Sequence, residues 1–151
     1  MPFTRLSNGR DAWRPATGDE LVLSLVAITE DEEFYCRLRG IAGSCQWRIV
    51  RARSIEEAET AILQKPTPLV VYESDPNDAK WRFALRRLSE LTPHPCVLLA
   101  SAVADENLLR DVVRNNGYDI LPKSVSREKT IRVLTFAWFW ALASSSERGR
   151  R

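Results

Sequence analysis

The groups able to do chemistry in this chain stand where apolar runs stop. Thr29, Glu30 and Asp31 follow the run that ends at Ile28, and Glu73, with Asp75 two residues on, follows Leu69-Val70-Val71-Tyr72. Ser101 follows Cys96-Val97-Leu98-Leu99-Ala100, and Lys123 comes shortly after Tyr118-Asp119-Ile120-Leu121. A carboxylate beside a lysine at a strand end is an ordinary ion-pair arrangement, and perturbed groups of that kind also mark functional sites. Other chemistries have no footing. The single histidine, His94, lies between Pro93 and Pro95 in a turn, so neither a histidine metal site nor a Ser-His-Asp triad can be assembled. Cys36, Cys45 and Cys96 lack metal-type spacing, and no glycine-rich phosphate loop is present. No nucleophile–base pair is visible, which argues against an enzyme.

The elements that must position these groups alternate between two textures. Leu21–Ile28 is almost entirely apolar and predicts a buried strand. Phe34, Leu38 and Ile41 recur at helical spacing from Glu32 onward, and Gly40 and Gly43 predict the end of that helix. Trp47–Ala52 reads as a second strand. Ser54 with Glu57 forms a capping box for a helix with Ile55, Ala58, Ala61 and Ile62 on one face. Leu69–Tyr72 is a third strand, and Trp81, Leu85 and Leu88 align on the next helix. Cys96–Ala100 is a fourth strand, Asp105 caps a helix carrying Leu108, Val112 and Val113, and Tyr118–Leu121 is a fifth strand. Ser126 opens a last helix reaching about Ala143. Five strands alternating with five helices require parallel pairing through right-handed helical crossovers, hence a doubly wound α/β sheet with helices on both faces. In such sheets ligands gather at the carboxyl ends of the strands, where the chemistry-bearing residues stand.

In this pattern the chain resembles the receiver domains of response regulators, the CheY-like, flavodoxin-like family. The resemblance covers Leu21 to Leu142 and rests on Arg53-Ser54-Ile55-Glu56-Glu57-Ala58, on Pro68-Leu69-Val70-Val71-Tyr72-Glu73, and on Gly117-Tyr118-Asp119-Ile120-Leu121-Pro122-Lys123. It implies a five-stranded parallel sheet in the order 2-1-3-4-5. It also implies a pocket in which two acidic residues and an acceptor aspartate hold magnesium, the aspartate takes a phosphoryl group from a kinase histidine, and a hydroxyl and a lysine bind the phosphoryl oxygens.

Carried over by residue, the acidic pair falls on Thr29 and Glu30, or on Glu30 and Asp31 with a shift of one. The acceptor falls on Glu73, the hydroxyl on Ser101 with Ala100 as the rival, and the lysine on Lys123, followed by Ser124 where the family carries proline. Glutamate at the acceptor position carries its carboxylate about 1.3–1.5 Å farther out than aspartate would. A misplacement of about 1 Å costs a positioned reaction on the order of a hundredfold. The expectation is a degenerate pocket of Thr29, Glu30, Asp31, Glu73, Ser101 and Lys123 in which Glu73 pairs with Lys123, with no required cofactor and magnesium weakened by the loss of a carboxylate. Asp75 is the alternative acceptor.

The last helix carries too much apolar surface for a one-sided helix. Ile131, Leu134, Thr135, Trp138 and Leu142 fall on one face, while Val133, Phe136 and Trp140 fall nearly opposite. A second apolar stripe implies a covered patch, and receivers use this region for dimers and output partners, so a homodimer or protein-partner interface is expected at Val133, Phe136 and Trp140. Trp13 and the rest of the N-terminal arm, residues 1–19, are the other candidate cover. Residues 20–143 form the receiver-like domain and 144–151 a basic polar tail. The chain has 44% apolar and 28% charged residues with a net charge of +2, an ordinary globular balance too weakly basic to imply nucleic acid. The arginines at 48, 51 and 53 and at 82, 86 and 87 read as solvated faces. An odd cysteine count without a leader points to reduced thiols in the cytoplasm, with Cys36 and Cys96 as core filler, and no apolar run is long enough to span a bilayer. The sum is a stand-alone signalling module that works by binding a protein partner or itself, with a histidine kinase as a further partner if phosphorylation survives.

Overall fold

The computed structural model describes residues 22–148. Its elements run β1 (Ser24–Ile28), α1 (Glu32–Cys45), β2 (Arg48–Ala52), α2 (Ile55–Gln64), β3 (Leu69–Glu73), α3 (Lys80–Ser89), β4 (Cys96–Ser101), α4 (Glu106–Arg114), β5 (Asp119–Pro122) and α5 (Arg127–Arg148). All five strands are parallel and lie in the order β2-β1-β3-β4-β5. This is the doubly wound architecture that the strand–helix alternation requires.

Side chains alternate across a strand, so each central strand feeds two cores. Leu25, Ala27, Leu69, Val71 and Leu98 point to the side covered by α1 and α5, where they meet Phe34, Leu38, Leu134 and Ala137. Val26, Ile28, Val70, Val97 and Leu99 point to the side of α2, α3 and α4, where Trp81, Leu85 and Leu88 are fully buried. Burying both faces explains why β1, β3 and β4 read as unbroken apolar runs.

Local chemistry sets most of the boundaries. Asp31, Ser54 and Asp105 cap α1, α2 and α4, each side chain accepting a backbone N–H three residues on. Glu57 reaches back to the N–H of Arg53, one residue before the cap. Gly117 admits no side chain: a Cβ there would lie 2.5 Å from Val112 Cγ1 and 3.0 Å from Leu85 Cδ1.

Several expectations are corrected. α1 runs through Gly40 and Gly43 to Cys45, because Gln46 supplies the left-handed terminating residue (φ 60°), its N–H bonded to Ala42 O. Cys36 is exposed on α1 and is not core filler, while Cys96 is buried. Val113 is 56% exposed. On α5 the inward residues are Thr130, Leu134, Ala137 and Ala141, while Ile131, Trp138 and Leu142 are only half-buried. Small alanines face the sheet because they let the helix approach closely, which rotates the larger side chains to the flanks. α5 also continues to Arg148, past the expected end near Ala143. Trp13 and the arm of residues 1–19 lie outside the described residues.

Candidate functional site

The carboxyl ends of β1, β3 and β5 bring three charged side chains together. Lys123, just after β5, donates from Nζ to Asp31 Oδ2 at 2.7 Å and to Glu73 Oε2 at 3.2 Å. Thr29, buried at the end of β1, donates its hydroxyl to Glu73 Oε1 at 2.9 Å and accepts the N–H of Asp31 at 2.9 Å. Each Glu73 oxygen therefore has a donor. Asp31 serves twice: Oδ2 holds the lysine, while Oδ1 caps α1 by accepting Phe34 N–H at 3.1 Å. The ammonium also stands 5.5 Å from the centroid of the Phe34 ring.

The electrostatics follow from these contacts. The hydrogen bond from Lys123, followed by that from the Phe34 amide, holds the Asp31 carboxyl below its ordinary value. Burial alone would lower the Lys123 pKa, but hydrogen bonds to Asp31 and Glu73 outweigh it and the net shift is upward. The lysine stays charged, spanning two carboxylates.

The surroundings are braced from three elements, β4, α1 and β2. The Lys123 N–H bonds Ser101 O at 2.9 Å, and Arg37 of α1 donates to Lys123 O. Arg51 of β2 donates from Nε and a terminal nitrogen to Thr29 O, both at 3.2 Å, pairs with Glu32 at 2.8 Å and lies 4.8 Å from the Tyr35 ring centroid. Arg37 and Arg51 were not legible as site residues. The nearest signal was the acidic Asp31-Glu32-Glu33 run, which attracts cations once the topology folds strand ends onto it.

Of the expected residues, Thr29, Asp31, Glu73 and Lys123 come together. Glu30 does not: it is exposed and forms no side-chain hydrogen bond or ion pair among the described residues, because the alternation that turns Thr29 inward turns its neighbour to solvent. Ser101 is buried but approaches only through its carbonyl. Its hydroxyl accepts Val103 N–H at 3.0 Å, and the residue opposite Glu73 in the sheet is Ala100. Asp75 is exposed and uses its carboxylate to accept Asn77 N–H within its own turn. The donor set suits magnesium poorly, since that ion needs near-octahedral oxygens. Here two carboxylates share an ammonium, and among the described residues no group of three or more His, Cys, Asp or Glu converges.

A second region stands apart from this cluster. Phe136, Phe139 and Trp140 of α5 are 62%, 59% and 46% exposed. Trp140 packs on Tyr118 at a ring-centroid distance of 5.1 Å, and Val133 is half-buried against the core. Exposed Val113 and Leu109 of α4 extend the apolar surface. Phe139 was not among the residues expected there.

No protein-family model matches the sequence, and the comparison with curated proteins found no match. Solved structures do match. A response regulator from Thermotoga maritima aligns with a TM-score of 0.70 at 17% identity, over 78% of this chain and 98% of that one. NtrX from Brucella abortus aligns at 0.73 and 15% identity over 86% of this chain, which spans 30% of NtrX. A CheY-like protein, TadZ, from Pseudomonas aeruginosa PAO1 aligns at 0.65 and 15% identity, over 76% and 98% of the two chains. With its strand order, crossovers and strand-end lysine, the chain has the receiver fold of the CheY-like response regulators.

Proposed function

We propose that this chain is a receiver-like signal-transduction module that acts through protein–protein contact, with its phosphoacceptor pocket held shut by an internal ion-pair triad. One observation carries the reading: Lys123 Nζ bridges Asp31 and Glu73 at 2.7 and 3.2 Å. The lysine that would bind incoming phosphoryl oxygens already has two anionic partners. The glutamate at the acceptor position has both oxygens engaged. Two carboxylates against one ammonium leave a local charge of −1, which opposes a phosphoryl dianion. The reading needs no magnesium and no catalytic residue, and it suits a protein of the cytoplasm; among the described residues no helix is long and apolar enough to cross a membrane.

The contact surface is the outer face of α5 with its neighbours on α4, where Val133, Phe136 and Trp140 lie. Its occupant is a second copy of the chain or a protein partner. Nucleic acid fits less well, because Arg51, Arg82 and Arg87 are each tied to carboxylates. The test is intact mass after incubation with magnesium and acetyl phosphate. The expected result is no phosphoryl adduct, with or without a histidine kinase; a stoichiometric adduct would establish a working phosphoacceptor instead.

A further inference from the structure

A hollow of about 330 Å³ lies between α1 and the segment joining β5 to α5, beside the triad and away from the apolar α5 face. Its floor is apolar, formed by Phe34, Leu38, Ile41, Leu121 and Val125. Arg37 and Arg127 also line it. Arg37 donates to Lys123 O, and neither arginine makes an ion pair with a described residue. Lys123 also lines the hollow, but its charge is taken up by Asp31 and Glu73. Two arginines against the −1 of the adjoining triad leave the hollow with net positive charge over an apolar floor, reinforced by the N-terminal end of α5, which begins at Arg127.

Gly40 is the second observation. It stands inside α1, where glycine costs about 0.5–1 kcal/mol against alanine. A Cβ there would meet nothing within 4 Å, so close packing does not explain it. Gly40 lines the hollow, and its missing side chain keeps the wall on α1 open. A volume near 330 Å³ falls at the small end of ligand pockets, roughly 300–1,000 Å³, which suits a small molecule better than a protein helix.

We infer that this hollow binds a small organic anion with a flat apolar body, the body lodged between α1 and the segment joining β5 to α5 and the acid group between Arg37 and Arg127. The site touches the backbone that carries Lys123, yet it does not depend on the triad being closed to phosphorylation.

The probe is 1-naphthalenesulfonate, with naphthalene-1-methanol as its neutral counterpart, titrated calorimetrically against the full chain. One-to-one binding of the sulfonate with Kd below about 1 mM is expected, at least tenfold tighter than the alcohol. Cys36, an exposed thiol lining the hollow, should be alkylated by iodoacetamide severalfold more slowly with the probe present, while Cys45 keeps its rate. Gly40→Leu, which fills the hollow, and Arg127→Glu, at an exposed position, should each weaken binding tenfold or more. Arg127→Glu carries the test alone if Gly40→Leu does not fold. Absence of binding, equal affinity for the alcohol, or unchanged affinity in Arg127→Glu overturns the inference. So does Arg127-dependent binding to phosphatidylglycerol vesicles without any binding of the free sulfonate.

Discussion

The rim of the sheet and the outer face of α5 solve opposite problems. At the rim, charged groups that a receiver would present to a phosphoryl donor are matched among themselves: Lys123 has two carboxylates, Glu73 has two donors, and Thr29 both donates and accepts. On α5, Phe136, Phe139 and Trp140 stay largely in water, and only Trp140 finds a ring across the element boundary, at Tyr118. Satisfied polar groups resist an incoming ligand, whereas uncovered aromatic area favours one. That difference is what the proposed contact-based function rests on.

The contrast is most sharply tested at Lys123. Lys123→Met would leave Asp31 and Glu73 facing each other without a cation. We expect a loss of about 2 kcal/mol in urea unfolding, below the range for fully buried pairs because Asp31 is partly exposed. A change under about 0.5 kcal/mol would mean that the rim is not self-stabilised. On the other side, Phe136→Glu should weaken self-association or partner capture at least tenfold by sedimentation velocity, about 1.4 kcal/mol, while unfolding moves by less than about 0.5 kcal/mol. A wild type that stays monomeric at high concentration would remove the second copy as occupant. Gly43→Ala lies outside both regions, on a helical surface where a Cβ meets nothing within 4 Å. It should raise stability by about 0.5–1 kcal/mol in thermal melts and leave association unchanged.

The smallest effect is in pH. The pKa of Asp31 is depressed on folding, so its contribution is complete above the ordinary carboxylate value and fades as pH falls through the lower folded value. Lys123 is raised, so its contribution is complete below the usual 10.5 and fades as pH rises through the higher folded value. Urea midpoints between pH 2 and 5 should therefore fall more steeply for wild type than for Asp31→Asn. Parallel slopes would show that the Asp31 contacts are not held in solution.

The fold was readable because each level agreed: apolar runs for strands buried on both faces, helical spacing for Trp81, Leu85 and Leu88, and caps at Ser54 and Asp105. The rim was half-readable. Glu73 and Lys123 follow from strand ends, but choosing Asp31 over Glu30 needs the turn geometry that points one carboxylate inward and its neighbour out. Arg37 and Arg51 were hidden because each reaches a backbone oxygen of a remote segment, Lys123 O and Thr29 O, which leaves no pattern in sequence. The facing of α5 was misjudged for a related reason: large apolar residues were assigned inward, whereas close approach to the sheet selected Ala137 and Ala141.

The strand order has a consequence for how copies of this chain can meet. β2 and β5 are the margins of the sheet, where unpaired backbone groups invite a foreign strand. β2 carries Arg48 and Arg51, and β5 is four residues long, begins with Asp119 and ends with Pro122, which has no N–H to offer. Both margins are thereby blunted against runaway sheet extension, in which a strand of one copy would add to the sheet of the next.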